Sequence, residues 1–410
     1  MSKVTIIGAG RTGRGMFGEM FFSEGGFDLA FGDINPELIR SLREQGHYVV
    51  EQTNLDSGMS KATCVSDFKV YDAKADREAY LKRLAESDYI AVAVFPSSFD
   101  DVARDLADMA RLRRKSGSGQ KAAVILGGNF VGLRSYFSGA LRKLLDDDDY
   151  EIFDGQVALV TSKANRKMTY SSKPGAKPLS LEGDDKPFLP VEDRFLFGDG
   201  YEYPSFFKRS DDVELRMAEK IWSENLLHCS LGFMGAYYGF ATINDVASDE
   251  FCADLARRAW KEGRAALEAE YGIPVPDESF FRTMLDKFKS PHFRDRIDRV
   301  VRQPMRKLGR HDRFLGPALL CLKHDIVPFF TLRAAAYGFL FSDEKDEQVA
   351  KIAKIRSAMT LEDAVVKITG LDASVSEEAT ACGLLIGFIQ ELQCLEKQAP
   401  RVPACEEGVR

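Results

Sequence analysis

Two constellations in this sequence have residue types and spacing that chemistry uses. The first is Gly8-Ala9-Gly10-Arg11-Thr12-Gly13, a GxGxxG run that follows an apolar stretch beginning at Val4 and precedes a helix-like segment around Met16. In that setting the first glycine makes a tight turn, the second lets the backbone approach a pyrophosphate, and the third lets helix and strand pack closely. The N–H groups opening the helix then face the anion. Asp33 stands 25 residues after Gly8 at the end of a second apolar stretch, near the interval at which a carboxylate bonds the adenosine ribose. A carboxylate there repels a 2′-phosphate, so NAD(H) is expected over NADP(H), with Arg11 and Arg14 leaving some tolerance of the phosphate. The alternative is that Asp33 only starts the turn before Asn35-Pro36.

The second constellation is Lys220, Asn225 and His228. On a continuous helix turning about 100° per residue, Asn225 lies roughly 140° and His228 roughly 80° around from Lys220, so one cleft could hold all three. A surface lysine, a helix-end asparagine and a core histidine would produce the same spacing, and the pattern alone leaves both readings open.

These residues need elements to position them. Residues 4–7, 27–31, 89–94 and 122–126 read as buried strands separated by helical segments, which indicates a parallel sheet wound by right-handed crossovers. From Leu141 to about Tyr203 the pattern degrades: the acids Asp146 to Asp149 read as a solvated loop tip, and the Pro/Gly/Ser-rich stretch 171–193 as a loop or insertion near the domain junction. Segments 213–225, 250–271, 278–287, 315–322, 327–341 and 347–359 show helical periodicity. The fold expected is an α/β Rossmann-like doubly wound sheet domain over residues 1–200, a mostly α-helical C-terminal domain over 201–400, and a tail at 401–410.

With 410 residues, 45% hydrophobic and 29% charged, the composition excludes a collagen-like, disordered or disulfide-scaffold protein. A net charge of −7 argues against a nucleic-acid partner held by charge. The charge is uneven, however: from Arg294 to Arg313 eight Lys or Arg stand against three Asp. The seven cysteines are scattered, without CxxC or metal-ligand spacing, so free thiols in a reducing compartment and no bound metal are expected. Met1-Ser2-Lys3 runs straight into a strand pattern with no signal-peptide features, so a cytoplasmic location is expected. The most apolar stretch, 226–243, contains His228, Ser230, Thr242 and three glycines, and reads as a buried helix rather than a membrane span.

Taken together, Gly8 to Gly13 with Asp33, Lys220-x4-Asn225-x2-His228, and Arg302-Gln303-Pro304-Met305-Arg306-Lys307-Leu308 followed by Asp312-Arg313 resemble the polyol-specific long-chain dehydrogenases. The resemblance runs from the N-terminus to about Ala373, with a poorly matching middle. It implies that Lys220 is the general base that removes the alcohol proton as hydride leaves the carbon, and the general acid in ketone reduction. A free lysine, with a pKa of about 10.4, is a poor base at neutral pH, so burial or a neighbouring cation is expected to depress it. Asn225 is implied as an amide donor to the developing alkoxide, Asn129 after the strand 122–126 as a second such donor, and His228 as the ligand that orients substrate oxygens. Two departures stand out: Gly128 replaces the acid that commonly precedes that asparagine, and Ala164-Asn165-Arg166 keeps only the arginine of an Asp-Arg pair.

Within the basic segment, Arg294, Arg296 and Arg299 interleave with Asp295 and Asp298 and read as a solvated helix face laced with salt bridges. Between Arg299 and Asp312 there is no acid, and Arg302, Arg306, Lys307 and Arg310 in that gap are candidates to hold a sugar phosphate. The resemblance thus implies an NAD-dependent enzyme interconverting a sugar-alcohol phosphate and a ketose phosphate, with mannitol 1-phosphate and fructose 6-phosphate as the pair. The partner expected is this small molecule, with no nucleic acid and no membrane, and the chain is expected to be a monomer or homodimer. The alternatives are a relative acting on an unphosphorylated ketose or hexuronate, and a nucleotide-binding protein without turnover.

Overall fold

Strand β1 (Ser2–Ile7) shows why the first part of the chain becomes a doubly covered sheet. Val4 and Ile6 enter one core while Ile7 enters another, because successive side chains leave a strand on opposite faces. The same alternation holds in β6 (Tyr89–Val92) and β7 (Ala122–Gly127): Tyr89, Ala91, Ala123 and Ile125 go to the first core, and Ile90, Val92, Val124 and Leu126 to the second. Two buried faces call for near-continuous apolar runs, and those runs are what made these strands legible. The computed structural model describes residues 1–54, 58–171, 173, 175–290, 295–343 and 346–398. It divides into two units, Met1–Glu214 and Leu215–Arg410.

The remaining strands of the first unit are β2 (Phe27–Asp33), β3 (His47–Thr53), β4 (Ser60–Ser66), β5 (Phe68–Asp72), β8 (Val157–Ser162), β9 (Met168–Tyr170), β10 (Leu181–Asp184), β11 (Leu189–Glu192) and β12 (Phe207–Ser210). Eight of them form one sheet in the order β12-β11-β8-β7-β6-β1-β2-β5. β1 pairs in parallel with β2 on one side and with β6 on the other, so the winding reverses beside β1. In such sheets the crevice at the carboxyl ends of the strands flanking the reversal receives the ligand.

A second sheet, in the order β4-β3-β10-β9, was not expected from the sequence. It shares the first core with Met16, Phe17, Met20 and Phe21 of the helix after the glycine turn, through Tyr48, Val50, Val65, Met168 and Leu181. The stretch 171–193 is therefore not simply a loop: β10 and β11 lie within it, and only residues 172 and 174 fall outside the described residues. These strands are four residues long and paired with distant partners, so local periodicity carried little sign of them. The acidic run is likewise a helix start rather than a loop tip. Asp146 caps the helix Asp147–Gln156 by accepting from Asp149 N–H at 2.7 Å, where negative charge is favoured by the helix dipole. Because β12 completes the first sheet, the unit boundary falls at Glu214 rather than near residue 200.

The second unit is helical among the described residues, apart from a single antiparallel bridge between Thr242 and Arg296. Its core joins Leu226, Leu227, Leu231 and Phe233 of the helix Asn225–Tyr238 to Trp260, Phe314, Leu332 and Leu385 from four other parts of the chain. The apolar stretch 226–243 is thus a core helix that ends at Gly239 in the left-handed conformation. No helix among the described residues is long and apolar enough to cross a membrane. Residues 401–410 lie outside the described residues.

Candidate active site

The first unit gathers the glycine turn and its acid at the reversal point. Gly8 has φ of +95°, and a Cβ there would meet Ala93 O at 2.6 Å, while a Cβ on Gly13 would meet Gly8 O at 1.8 Å. Both positions therefore exclude a side chain, one by conformation and contact, the other by close packing of helix on turn. Around Gly10, by contrast, a Cβ would find nothing within 4 Å, so the backbone there faces open space into which a pyrophosphate fits. Arg11 is exposed and Thr12 half-buried at the start of the helical turn. The helix opens with a π-helical stretch, Gly13–Gly18.

Asp33 ends β2 half-buried. One carboxylate oxygen accepts from Ala9 N–H at 2.6 Å, inside the glycine turn; the other accepts from Ile34 N–H at 2.8 Å and Asn35 N–H at 2.9 Å. It starts the turn before Pro36 and is also tied to the glycine turn. Beside it opens a cavity of about 510 Å³ lined by Ile34, Ala73, Lys74, Arg77, Asp101 and Asp105, among others.

Arg14 does not serve as the free cation expected for a 2′-phosphate. It is fully buried, donates to Ala9 O at 2.8 Å and Leu179 O at 2.6 Å, and lies over the Tyr48 ring at 5.4 Å. Its guanidinium braces the turn from beneath.

Asn129 is exposed just past the carboxyl end of β7. At Gly128 a Cβ would stand 3.2 Å from Leu133 Cδ1, so glycine in place of the family's acid fits the local packing. Asn165 donates to Phe188 O at 2.8 Å. Arg166 is buried against Glu19, with Nη1 2.5 Å from Oε2, and donates to Gly15 O at 3.3 Å, so it anchors the helix after the glycine turn.

In the second unit the structure revises how Lys220, Asn225 and His228 line up. Lys220–Glu224 is a π-helical turn, and Asn225 N–H closes it on Lys220 O. An i→i+5 bond brings Asn225 nearer in angle to Lys220 than the roughly 140° of a uniform helix, and His228 follows three residues on, a neighbour of Asn225 on the helix surface. The wider turn is accommodated by the neighbouring helix, where a Cβ on Gly263 would meet Trp222 O at 2.3 Å. Trp260 Nε1 donates to Ser223 at 2.9 Å and pins the turn from the same side. Lys220 and Asn225 are half-buried.

His228 is half-buried, its ring stacked on Phe288 with centroids 5.0 Å apart and an interplanar angle of 9°. Its Nε2 stands 3.3 Å from Asp295 Oδ2. Burial lowers the imidazole pKa, with Asp295 opposing and Arg299 and Arg313 reinforcing the fall. Asp295 is only 6% exposed and paired with Arg299; burial pushes its carboxyl up, but His228 and Arg299 hold it below the usual carboxylate range. The expectation of a solvated, salt-bridged face holds for Arg296 with Asp298, exposed and 3.0 Å apart, but not for Asp295; Arg294 lies outside the described residues. Asp295 is the site neighbour that sequence reasoning passed over. Alternating Arg and Asp is the usual signature of a surface, and nothing local shows that this acid turns inward.

The four candidate phosphate ligands are not brought together as one set. Arg306 Nη1 is 3.0 Å from Asp312 Oδ2, and Arg313 Nε is 2.7 Å from Asp312 Oδ1. Lys307 is 5% exposed and donates to Val300 O, and burial pushes its pKa down to about 8. These groups surround Cys229, next in sequence to His228, whose thiol pKa is raised by burial. Arg302 is exposed near Asp298, and Arg310 is paired with Glu378.

A doubly wound sheet with a glycine-rich turn at its switch point, followed by an all-helical unit, is the architecture of a two-domain oxidoreductase. Residues 2–182 match the mannitol dehydrogenase Rossmann domain, and residues 212–379 match the mannitol dehydrogenase C-terminal domain. The chain belongs to the mannitol dehydrogenase family of polyol dehydrogenases. Mannitol-1-phosphate 5-dehydrogenase of Streptococcus pneumoniae is 25% identical over 369 residues, which span 89% of this chain and 95% of that protein. Among solved structures, Pseudomonas fluorescens mannitol 2-dehydrogenase, in a ternary complex with NAD and D-mannitol, aligns with a TM-score of 0.71 at 14% identity, covering 96% of this chain and 92% of that one. Substrate-free D-sorbitol dehydrogenase aligns with a TM-score of 0.59 at 16% identity, covering 95% and 93%. At such identities these two structures speak to the fold.

Proposed function

We propose that this chain is an NAD-dependent dehydrogenase interconverting a sugar-alcohol phosphate and a ketose phosphate, with mannitol 1-phosphate and fructose 6-phosphate as the pair. The observation that carries the phosphorylated substrate is the charge imbalance beside His228: Arg306 and Arg313 both pair with Asp312, and Lys307 is buried next to them. A buried surplus of positive charge is costly unless an anion joins it, and a phosphate monoester is such an anion. The 25% identical Streptococcus relative, named for the phosphorylated polyol, supports the same choice.

In this reading Gly8, Gly10, Arg11, Thr12 and Gly13 hold the cofactor pyrophosphate, and Asp33 holds the adenosine ribose. NAD, when bound, supplies the hydride acceptor. Lys220 takes the alcohol proton, Asn225 and Asn129 donate amide N–H to the alkoxide oxygen, and His228 orients the neighbouring hydroxyls. Arg306 and Lys307 receive the phosphate, with Arg302 and Arg310 at the periphery. A second reading, an unphosphorylated ketose or hexuronate, is favoured by the engagement of Lys307 with Val300 O and of Arg310 with Glu378, which leaves fewer cations free.

One panel of NADH oxidation with fructose 6-phosphate, fructose, fructuronate and tagaturonate separates these readings. Fructose 6-phosphate is expected to be turned over fastest, and Lys220→Ala to abolish turnover while NADH still binds. Faster turnover of a free sugar or uronate would move the assignment to the second reading. Equal rates for wild type and Lys220→Ala would remove the catalytic role of the lysine, and NADH binding without turnover of any ketose would leave only a nucleotide-binding protein.

A further inference from the structure

Ala9, between the first two glycines of the turn, is held at both of its backbone groups by side chains. Its N–H donates to Asp33 at 2.6 Å, and its carbonyl accepts from Arg14 Nε at 2.8 Å. A trans peptide points its C=O and N–H in opposite directions, so each bond also fixes the group across the same peptide plane. Ala9 N–H on Asp33 leaves Gly8 O facing Gly13, where a Cβ would collide with it. Ala9 O on the fully buried Arg14 turns Gly10 N–H the other way, out of the interior. Gly10 is half-buried, and a Cβ on it would meet nothing within 4 Å.

Arg14 is in turn fixed from the second sheet. Its Nη1 donates to Leu179 O at 2.6 Å, two residues before β10, and its own carbonyl accepts from Tyr48 OH of β3 at 3.1 Å. Gly18 leaves the room in which the Tyr48 hydroxyl sits, since a Cβ there would collide with it. A buried planar guanidinium bonded to two carbonyls has little freedom to swing.

We propose that Arg14 is a positioning residue for the cofactor: by gripping Ala9 O from inside the fold it aims Gly10 N–H outward, where that N–H donates to a pyrophosphate oxygen. The contact with phosphate rests on the reading of the glycine turn as the pyrophosphate site, whereas the direction of the peptide is a property of the protein alone. Being fully buried, the guanidinium acts only through the Ala9–Gly10 peptide. Leu179 and Tyr48, by holding Arg14, give the second sheet a part in cofactor binding. Without the grip the peptide plane can rotate, and a rotated plane presents a carbonyl oxygen to the phosphate instead of a donor.

The test uses the full chain labelled with ¹⁵N-glycine, with the Gly10 amide assigned by the signal lost in Gly10→Ala, a substitution for which there is room. In the ligand-free wild type this amide is expected to exchange rapidly with water, and to shift on titration with NADH. In Arg14→Met the shift should be lost and the Kd for NADH, read by fluorescence titration, should rise by about tenfold. Arg14→Lys, which keeps the charge and one donor, should recover part of that affinity, and it supplies the same readouts if Arg14→Met does not fold. An arginine with only a structural role would lower the fraction of chain that binds and leave Kd unchanged. A Gly10 amide shielded from water in the ligand-free wild type overturns the proposal. So do NADH binding that leaves the wild-type Gly10 amide unmoved, and Arg14 variants with wild-type Kd and shift. Absence of NADH binding in the wild type overturns the cofactor reading and this role together.

Discussion

Replacing Glu19 by glutamine tests how the helix after the glycine turn is held. The side chain of Glu19 is 2% exposed and faces an Arg166 guanidinium that is 3% exposed. Arg166 Nη1 stands 2.5 Å from Oε2, Gln52 donates to the same oxygen at 3.0 Å, and Ser23 donates to Oε1 at 2.8 Å. Glutamine keeps the shape but removes the charge, leaving the guanidinium buried with carbonyls alone. Removing one partner of a buried pair costs about 3–5 kcal/mol. For domains of about 150–250 residues each kcal/mol moves Tm by about 2–4 °C, so the first unit should lose roughly 6–20 °C. Differential scanning calorimetry at pH 7 reads this loss. The double variant Glu19→Leu/Arg166→Met, which removes both charges, should recover most of it, since a buried pair is often replaceable by apolar side chains of similar volume.

The same pair predicts a pH dependence. Burial pushes the Glu19 carboxyl up, but Arg166, Ser23 and Gln52 more than reverse this and leave it below its ordinary value. The folded state therefore binds fewer protons than the unfolded state. Glu19 contributes fully above the unfolded glutamate range and loses its contribution as pH falls through the lower folded value, so the gap between wild type and Glu19→Gln should narrow toward acid pH. A loss under about 2 °C for Glu19→Gln at pH 7, with the double variant less stable than the single, refutes the assignment of Arg166 as a buried ion-pair anchor.

Three further outcomes follow from the site. Asn225→Ala should lower kcat by about 10²–10³ with little change in KM, measured in steady-state NADH oxidation, because an oxyanion donor acts mainly in the transition state. Asp33→Ala should weaken NADH binding by at least about tenfold and narrow the preference over NADPH, read by fluorescence titration, since it removes both the ribose acceptor and the bond to Ala9 N–H. Arg306→Met should raise KM for fructose 6-phosphate by about tenfold or more and spare fructose, whereas Arg310→Met, whose guanidinium is held by Glu378, should change it by less than about twofold.

Much of the fold was legible because it is written locally. Strands β1, β2, β6 and β7 are buried on both faces and read as continuous apolar runs, and the helices of the second unit carry their core stripe at helical spacing. The glycine turn was legible for the same reason, since the constraints on Gly8 and Gly13 come from backbone within a few residues of them or from the strand beside them. The short strands β9 to β12 were not legible, because three or four residues carry no period and β10 and β11 are tied into their sheets by β3 and β8 earlier in the chain.

At the site, residue types and order came from the sequence by itself: a glycine turn with an acid, then lysine, asparagine and histidine, then a basic run around Asp312. Tertiary structure decided what each of them faces. It widened one helical turn between Lys220 and Asn225 against Gly263, and it buried Arg14 beneath the glycine turn instead of leaving it free for a 2′-phosphate. It also turned Asp295 inward onto His228 while its neighbours Arg296 and Asp298 stayed exposed. The physical reason is common to all three. Periodicity reports which side of an element is apolar, but a polar side chain's partner is chosen by whatever the chain folds against it, and that choice is made only when distant segments meet.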